Sequence, residues 1–229
     1  MSYGTSKRRL DRSLWWGGSA LAAAVLARWQ LARWFTQHPE YEVEEQVGEL
    51  EIRRYPPQCV AETRISAASW DVALRRGFER LARYVFGNNQ RTLPSAAVTQ
   101  EPRLARGARA RAERLRMTTP VRMRLERPEN LARTYTVSFG MPMGRSAESL
   151  PVPKDARIVV TAKPPRRVAV LRYRGQHDQR TVSEKFSELL VQVGRAGLSR
   201  RGEPEFAGYD PPSTLPVLRR NEVWVELAG

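Results

Sequence analysis

The sequence predicts an α+β fold, a curved and mainly antiparallel sheet carrying two helices, and three observations predict it. Two Pro-Pro pairs share one grammar, Pro56-Pro57-x-x-Val60-Ala61 and Pro164-Pro165-x-x-Val168-Ala169. Proline donates nothing to a strand ladder and holds its predecessor extended, so each pair marks a bend between two strands, read here as a hairpin. Each pair is followed by a β-rich run and then by an amphipathic helical pattern. Short strand-like runs punctuated by glycine and proline occupy the rest. The repeated order of strand, turn, strand, helix and two further strands implies a chain folded as two related halves.

Taken in order, Lys7, Arg8, Arg9 and Arg12 precede LWWGGSALAAAVLA at residues 14–27. A basic end before an apolar run is the layout of an export signal or signal anchor. Arg28 and Arg33 can snorkel and extend the run to residues 14–35 as a transmembrane helix. The positive-inside rule then keeps the N-terminus cytoplasmic and delivers the remainder outward. An amphipathic helix lying on the membrane or against the domain, and a twin-arginine signal at Arg8-Arg9, are the alternatives. Residues 1–40 are thus a signal or anchor with its linker, ended by Pro39, and residues 41–229 form the domain.

Residues 41–47, 49–55 and 59–65 read as strands. A helix follows over residues 69–86, where Trp70, Leu74, Phe78, Leu81 and Val85 recur at helical spacing opposite Arg75, Arg76, Glu79, Arg80 and Arg83. Residues 89–116 are rich in arginine and alanine and read as a solvated loop or loose helix. Strands return at 117–126 and 133–139 around a turn through Pro128-Glu129-Asn130, and Met141-Pro142-Met143-Gly144 opens another loop. Residues 158–162 and 167–174 form the second hairpin. Thr181 and Glu184 have capping-box spacing and start the second helix, with Val182, Phe186, Leu189, Leu190 and Val193 as its apolar face. Residues 205–209 and 222–227 are strands flanking a proline-rich loop.

Of 229 residues, 41% are apolar, enough for one substantial core. The formal charge of +15 is carried almost wholly by arginine and suits anionic partners: nucleic acid, acidic lipid or a carboxylate-bearing ligand. No recognition motif accompanies the charge, so specific nucleic-acid binding is not expected. Cys59 is the only cysteine and His38 and His177 the only histidines, which excludes an intrachain disulfide, a cysteine-based zinc site and a multi-histidine metal centre. Carboxylates are scattered, and no hydroxyl has an evident histidine partner, so no enzyme is expected.

Five stretches together resemble the SOUL haem-binding family: YEVEEQVGELEIRRY (residues 41–55), GFERLARYVFG (77–87), MTTPV (117–121), AGYDPP (207–212) and RNEVWVE (220–226). The resemblance covers roughly residues 41–227. It implies a distorted antiparallel β-barrel with two helices, built from two pseudo-repeated halves. It also implies non-catalytic binding of haem or another tetrapyrrole in a hydrophobic groove with basic groups near the propionates. Family members that use an axial histidine carry it immediately before the tyrosine of the EIR-His-Tyr motif, and Arg54 stands there in this chain. A second family type uses a groove beside the first helix. Its motif falls on Arg75, Phe78, Ala82 and Arg83, with Met117 nearby: the arginines for propionates, Phe78 and Ala82 for the macrocycle. A basic residue of that type in the loop after AGYDPP is replaced by Thr214, leaving Arg219 or Arg220 as substitutes. Met117, Met123, Cys59 and His177 are conceivable iron ligands by their chemistry. The expected ligand is therefore a tetrapyrrole held without the axial histidine, as a carrier or buffer. The competing readings are an interaction protein with this fold and no haem affinity, and a sensor of small amphipathic molecules.

Overall fold

The computed structural model describes residues 37–91, 111–126 and 133–228. In chain order the elements are β1 (Glu42–Val47), β2 (Leu50–Tyr55), β3 (Gln58–Ser66), α1 (Trp70–Val85), β4 (Asn89–Gln90), β5 (Val121–Leu125), β6 (Thr134–Gly140), β7 (Val152–Pro153), β8 (Ile158–Lys163), β9 (Arg166–Arg174), α2 (Gln179–Arg195), β10 (Arg200–Gly208) and β11 (Arg220–Leu227). The class is α+β, with two helices and a large antiparallel sheet, as the sequence implies. The short β4 and β7 pair only with each other, a ladder too brief to leave a periodic signal. The expected anchor over residues 14–35, the turn at residues 128–130 and most of the arginine-alanine stretch lie outside the described residues. Among the described residues no helix is long and apolar enough to cross a membrane.

Nine strands join in the order β1-β2-β9-β11-β10-β5-β6-β3-β8. Among the described residues β1 and β8 each have one strand neighbour, so the ladder is an open sheet and the expected barrel does not close. The two Pro-Pro bends also behave differently from the expectation of hairpins. β2 and β3 do not pair with each other, nor do β8 and β9. Instead β2 pairs with β9, from Leu50↔Leu171 to Tyr55↔Arg166, and β3 pairs with β8, from Gln58↔Lys163 to Thr63↔Ile158. A two-residue hairpin needs φ > 0 at its turn, which proline's fixed φ forbids. Each pair instead turns the chain from one end of the sheet to the other.

Period-two alternation sorts the side chains between two faces. Leu50 and Ile52, Ala169 and Leu171, Val223 and Val225, Val137 and Phe139, Met123 and Phe206 belong to the core beneath α1 and α2. The opposite face carries a smaller cluster of Tyr55, Val168, Val170, Ala207, Tyr209 and Trp224, with Tyr41 against it. α1 is capped by Ser69, whose side chain accepts from Val72 N. It comes unusually close to β6, because a Cβ on Gly77 would overlap Val137 Cγ2. The cap of α2 lies three residues before the expected Thr181: it is Asp178, which accepts from Arg180 N and Thr181 N. Thr181 Oγ1 donates to that same carboxylate at 2.9 Å, while Glu184 pairs with Arg180 instead of capping. An aspartate charge favourable at a helix N-terminus outcompetes the hydroxyl.

Candidate functional site

The residues expected to hold a ligand sit on and beside α1. Arg75 and Arg83 are exposed, and among the described residues neither side chain has an ion pair or hydrogen bond. Phe78, Ala82 and Met117 are half-buried against the main core, with the Phe78 ring 5.5 Å from that of Phe139. Met123 is fully buried beneath the helices and Cys59 is buried. Burial and the Arg219 charge hold the His177 imidazole below its usual pKa, and its ring stacks on Phe206 at 5.6 Å.

The loop between β10 and β11 adds a surface that the sequence reading passed over as merely proline-rich. Leu215, Val217 and Leu218 are 65%, 70% and 42% exposed on a short 3-10 turn. The loop is fastened from within: Arg219 donates to the carbonyls of Thr214 (2.8 Å) and Pro212 (2.7 Å), and Gly175 N donates to Pro216 O at 3.1 Å. Arg219 Nη1 lies 3.4 Å from His177 Nδ1, and the His177 carbonyl accepts the Trp70 indole N–H at 3.1 Å. These contacts tie the exposed aliphatic turn to the first residue of α1. The signal was present in the sequence as LPVL (residues 215–218), aliphatic side chains where a solvated loop has no use for them.

The arginine that matters most to the interior is Arg53, which has no exposed surface. It donates to Glu222 from Nη1 (2.9 Å) and Nη2 (3.2 Å), to Glu51 from Nε (2.8 Å) and to the Tyr55 hydroxyl (3.2 Å), and lies 4.3 Å from the Tyr41 ring centroid. Glu222 further accepts from the Tyr209 hydroxyl and Trp224 Nε1, both at 2.8 Å, and from Arg220 Nη2 at 2.7 Å. Burial raises the Glu222 pKa, but hydrogen bonds and charge from Arg53 and Arg220 prevail and bring it to about 2. Arg220 is therefore committed to the interior and is no substitute for a ligand-facing base. Arg54, at the position of the axial histidine, is exposed and ion-paired with Glu44. The stretches EIRRY, AGYDPP and RNEVWVE, which carry part of the family resemblance, thus meet in one buried polar and aromatic cluster.

A separate cleft of about 420 Å3 opens where β3 and β5 begin and β6 and β8 end. Residues 37–40, 56–59, 118–120 and 140–148 line it, with Arg122, Ala162 and Trp224. The approach strand is held by Gln37 N to Met117 O (3.2 Å) and Thr119 N to Gln37 O (2.9 Å), and the far wall by Met141 N to Cys59 O (2.8 Å). Arg145 fixes the outer loop through Glu113 at 2.8 Å. The four lining segments are remote in sequence, so no local pattern announces the cleft. Among the described residues no group of histidine, cysteine and acidic side chains is placed to hold a metal ion.

Comparison with known proteins agrees with this architecture. The model of the SOUL heme-binding protein family matches residues 36–101 and 103–226. Heme-binding protein 2 of Homo sapiens is 24% identical over 183 residues, 79% of this chain and 78% of that protein. Heme-binding protein 2 of Mus musculus is 23% identical over 187 residues, 80% of each. Among solved structures, the EcmrR C-terminal domain superposes with a TM-score of 0.51 at 10% identity, covering 82% of this chain and 98% of that domain, a likeness of fold alone. With the family model spanning nearly all of the described domain, the chain belongs to the SOUL heme-binding protein family.

Proposed function

We propose that this chain binds haem or a related tetrapyrrole without catalysing a reaction, on the surface formed by α1 and the loop between β10 and β11. The observation that carries the reading is the exposed turn of Leu215, Val217 and Leu218, pinned through Arg219 and His177 to the start of α1. A flat apolar macrocycle gains roughly 25 cal/mol per Å2 of apolar surface it covers. Arg75 and Arg83, just over two turns apart and without protein partners among the described residues, supply guanidinium groups for propionates. Phe78, Ala82 and Met117 form the half-buried floor. Membership of the family and the names of its two mammalian relatives support the ligand class. Tetrapyrrole bound this way is held by apolar contact and ion pairing, as in a carrier or buffer, with no histidine at the position of Arg54.

Titration of the full chain with haemin at about 0.5 M salt, where a Debye length of a few ångströms removes diffuse attraction to a +15 protein, tests this. Saturable 1:1 binding is expected, weakened about tenfold or more by Arg75→Ala with Arg83→Ala and by Val217→Asp. Binding no stronger than to an unrelated basic protein favours the second reading, an interaction protein of this fold. That reading draws support from the packing of Phe78, Ala82 and Met117, which the core already engages. Two further elements belong to the proposal. Residues 14–35 anchor or export the chain, leaving residues 41–229 on the non-cytoplasmic side. The domain also consists of two related halves: exchanging β2 with β8, β3 with β9, β5 with β10 and β6 with β11 turns the strand order from β2 to β8 into its own reverse, which supports that origin.

A further inference from the structure

One residue of the cleft lining, Arg122, carries a buried donor without a partner. Arg122 is 3% exposed, and its Nη2 has no hydrogen-bond partner; its other terminal nitrogen, Nη1, lies 3.7 Å from Glu205. A buried guanidinium N–H left unpaired costs about 1–3 kcal/mol, more when charged, so such a group is expected to have a partner in the working state. The surroundings sharpen the demand for an anion. Arg124 pairs with Glu126 and also donates to Glu205 at 3.4 Å, and Lys163 pairs with Glu62, so the one Glu205 carboxylate answers the charges of Arg122, Arg124 and Arg166 together. Behind Trp224, Arg166 lines a small neighbouring cavity with Glu205; its Nε and Nη2 are likewise unpartnered, and burial together with the Arg122 charge brings its pKa down to about 10. The two guanidiniums stand 5.9 and 6.0 Å from the Trp224 ring, which forms part of the cleft lining.

Pro56, Pro57, Pro120, Pro142, Met141 and Met143 give the cleft a continuous apolar component, beside polar lining from Gln37, Gln58, Thr119 and Arg145. Glu40 and Glu148 stand at the exposed rim, where water screens them. The volume of about 420 Å3 lies within the range of small-molecule sites. One free terminal nitrogen suits the single oxygen of a carboxylate better than a phosphate, which calls for several donors. We infer that this cleft is a second ligand site, distinct from the α1 surface, which takes a carboxylate carried on an apolar body, with the acid group at Arg122 Nη2 and the body against the proline and methionine walls.

The inference does not need the tetrapyrrole reading, and one experiment separates them. The full chain is titrated with decanoate and with methyl decanoate by calorimetry, then with haemin, in the wild type and in Ala162→Trp, Arg122→Met and Arg75→Ala/Arg83→Ala variants. Ala162 is exposed on β8 and lines the cleft, so the tryptophan fills space without disturbing the core. Saturable 1:1 binding of decanoate is expected, with the ester at least tenfold weaker and both cleft variants losing at least tenfold. Equal binding of acid and ester, no saturable binding, or unchanged decanoate affinity in Ala162→Trp overturns the site. Haemin binding that survives Ala162→Trp but falls in the α1 double variant leaves both sites in place. Haemin binding lost in Ala162→Trp alone assigns the tetrapyrrole, itself an apolar carboxylate, to the cleft; that supports the cleft chemistry and overturns the α1 location.

Discussion

Arg53 has no exposed surface and gives two terminal nitrogens to Glu222, whereas the Arg54 side chain, one residue on, is 55% exposed and meets Glu44 at the surface. The strand pleat sends neighbours to opposite faces: Arg53 shares the Tyr55 face and its buried polar cluster, whereas Arg54 falls on the Leu50 and Ile52 face next to the strand's last residue, where it reaches solvent. Glu222 → Gln is expected to destabilise the chain by about 3–5 kcal/mol, because it strands a buried guanidinium. The pH dependence has a definite sign. The Glu222 pKa is lowered from 4.5 to about 2 on folding, so its contribution is complete above pH 4.5 and is lost as pH falls towards 2. The shift corresponds to about 3 kcal/mol. Urea unfolding at successive pH values should therefore show a steeper acid loss in the wild type than in Glu222→Gln; parallel curves would contradict the assignment. Nothing in β2 marks Arg53 as the buried member, since its partner lies at the other end of the sequence. The aliphatic run at residues 215–218 was legible as LPVL, but its exposure depends on how Arg219 folds the loop.

At the level of elements, amphipathic spacing located both helices to within a few residues, because one apolar stripe facing one sheet is a local property. The start of α2 was missed by competition between two good capping residues, Asp178 and Thr181, that lie three apart. Strand positions were legible too, from alternation and proline; strand partners were not. Gly77 shows what spacing alone cannot reveal, a contact so close that any side chain would intrude on Val137. Gly77→Ala is expected to cost about 1–3 kcal/mol through overpacking. Adding Val137→Ala should restore part of that loss, read as a recovery of the urea midpoint. Failure of the second substitution to help would show that the helix simply moves away.

Across the whole molecule, two pairings decide connectivity: β2 with β9 and β5 with β10. A chain ending at residue 150 keeps β1-β2 and β5-β6-β3, but as two pieces with no ladder between them. Such a fragment is expected to lack near-ultraviolet circular dichroism and cooperative unfolding, while the full chain unfolds in one transition; a folded fragment would show that the first half is autonomous. The repeat of Pro-Pro grammar was visible in the sequence, yet its meaning as a crossing rather than a hairpin required the partners to be seen. Net charge points to anionic partners, but not to the place where guanidiniums stand unpaired, because which arginines meet Glu44, Glu51, Glu205 and Glu222 is decided by contacts between distant strands. The crossings at Pro56-Pro57 and Pro164-Pro165 carry one more consequence. A strand lent across the sheet to a distant partner in the same molecule meets an identical partner in a neighbouring copy, so at high concentration two polypeptides can trade these segments and complete each other through the same ladder.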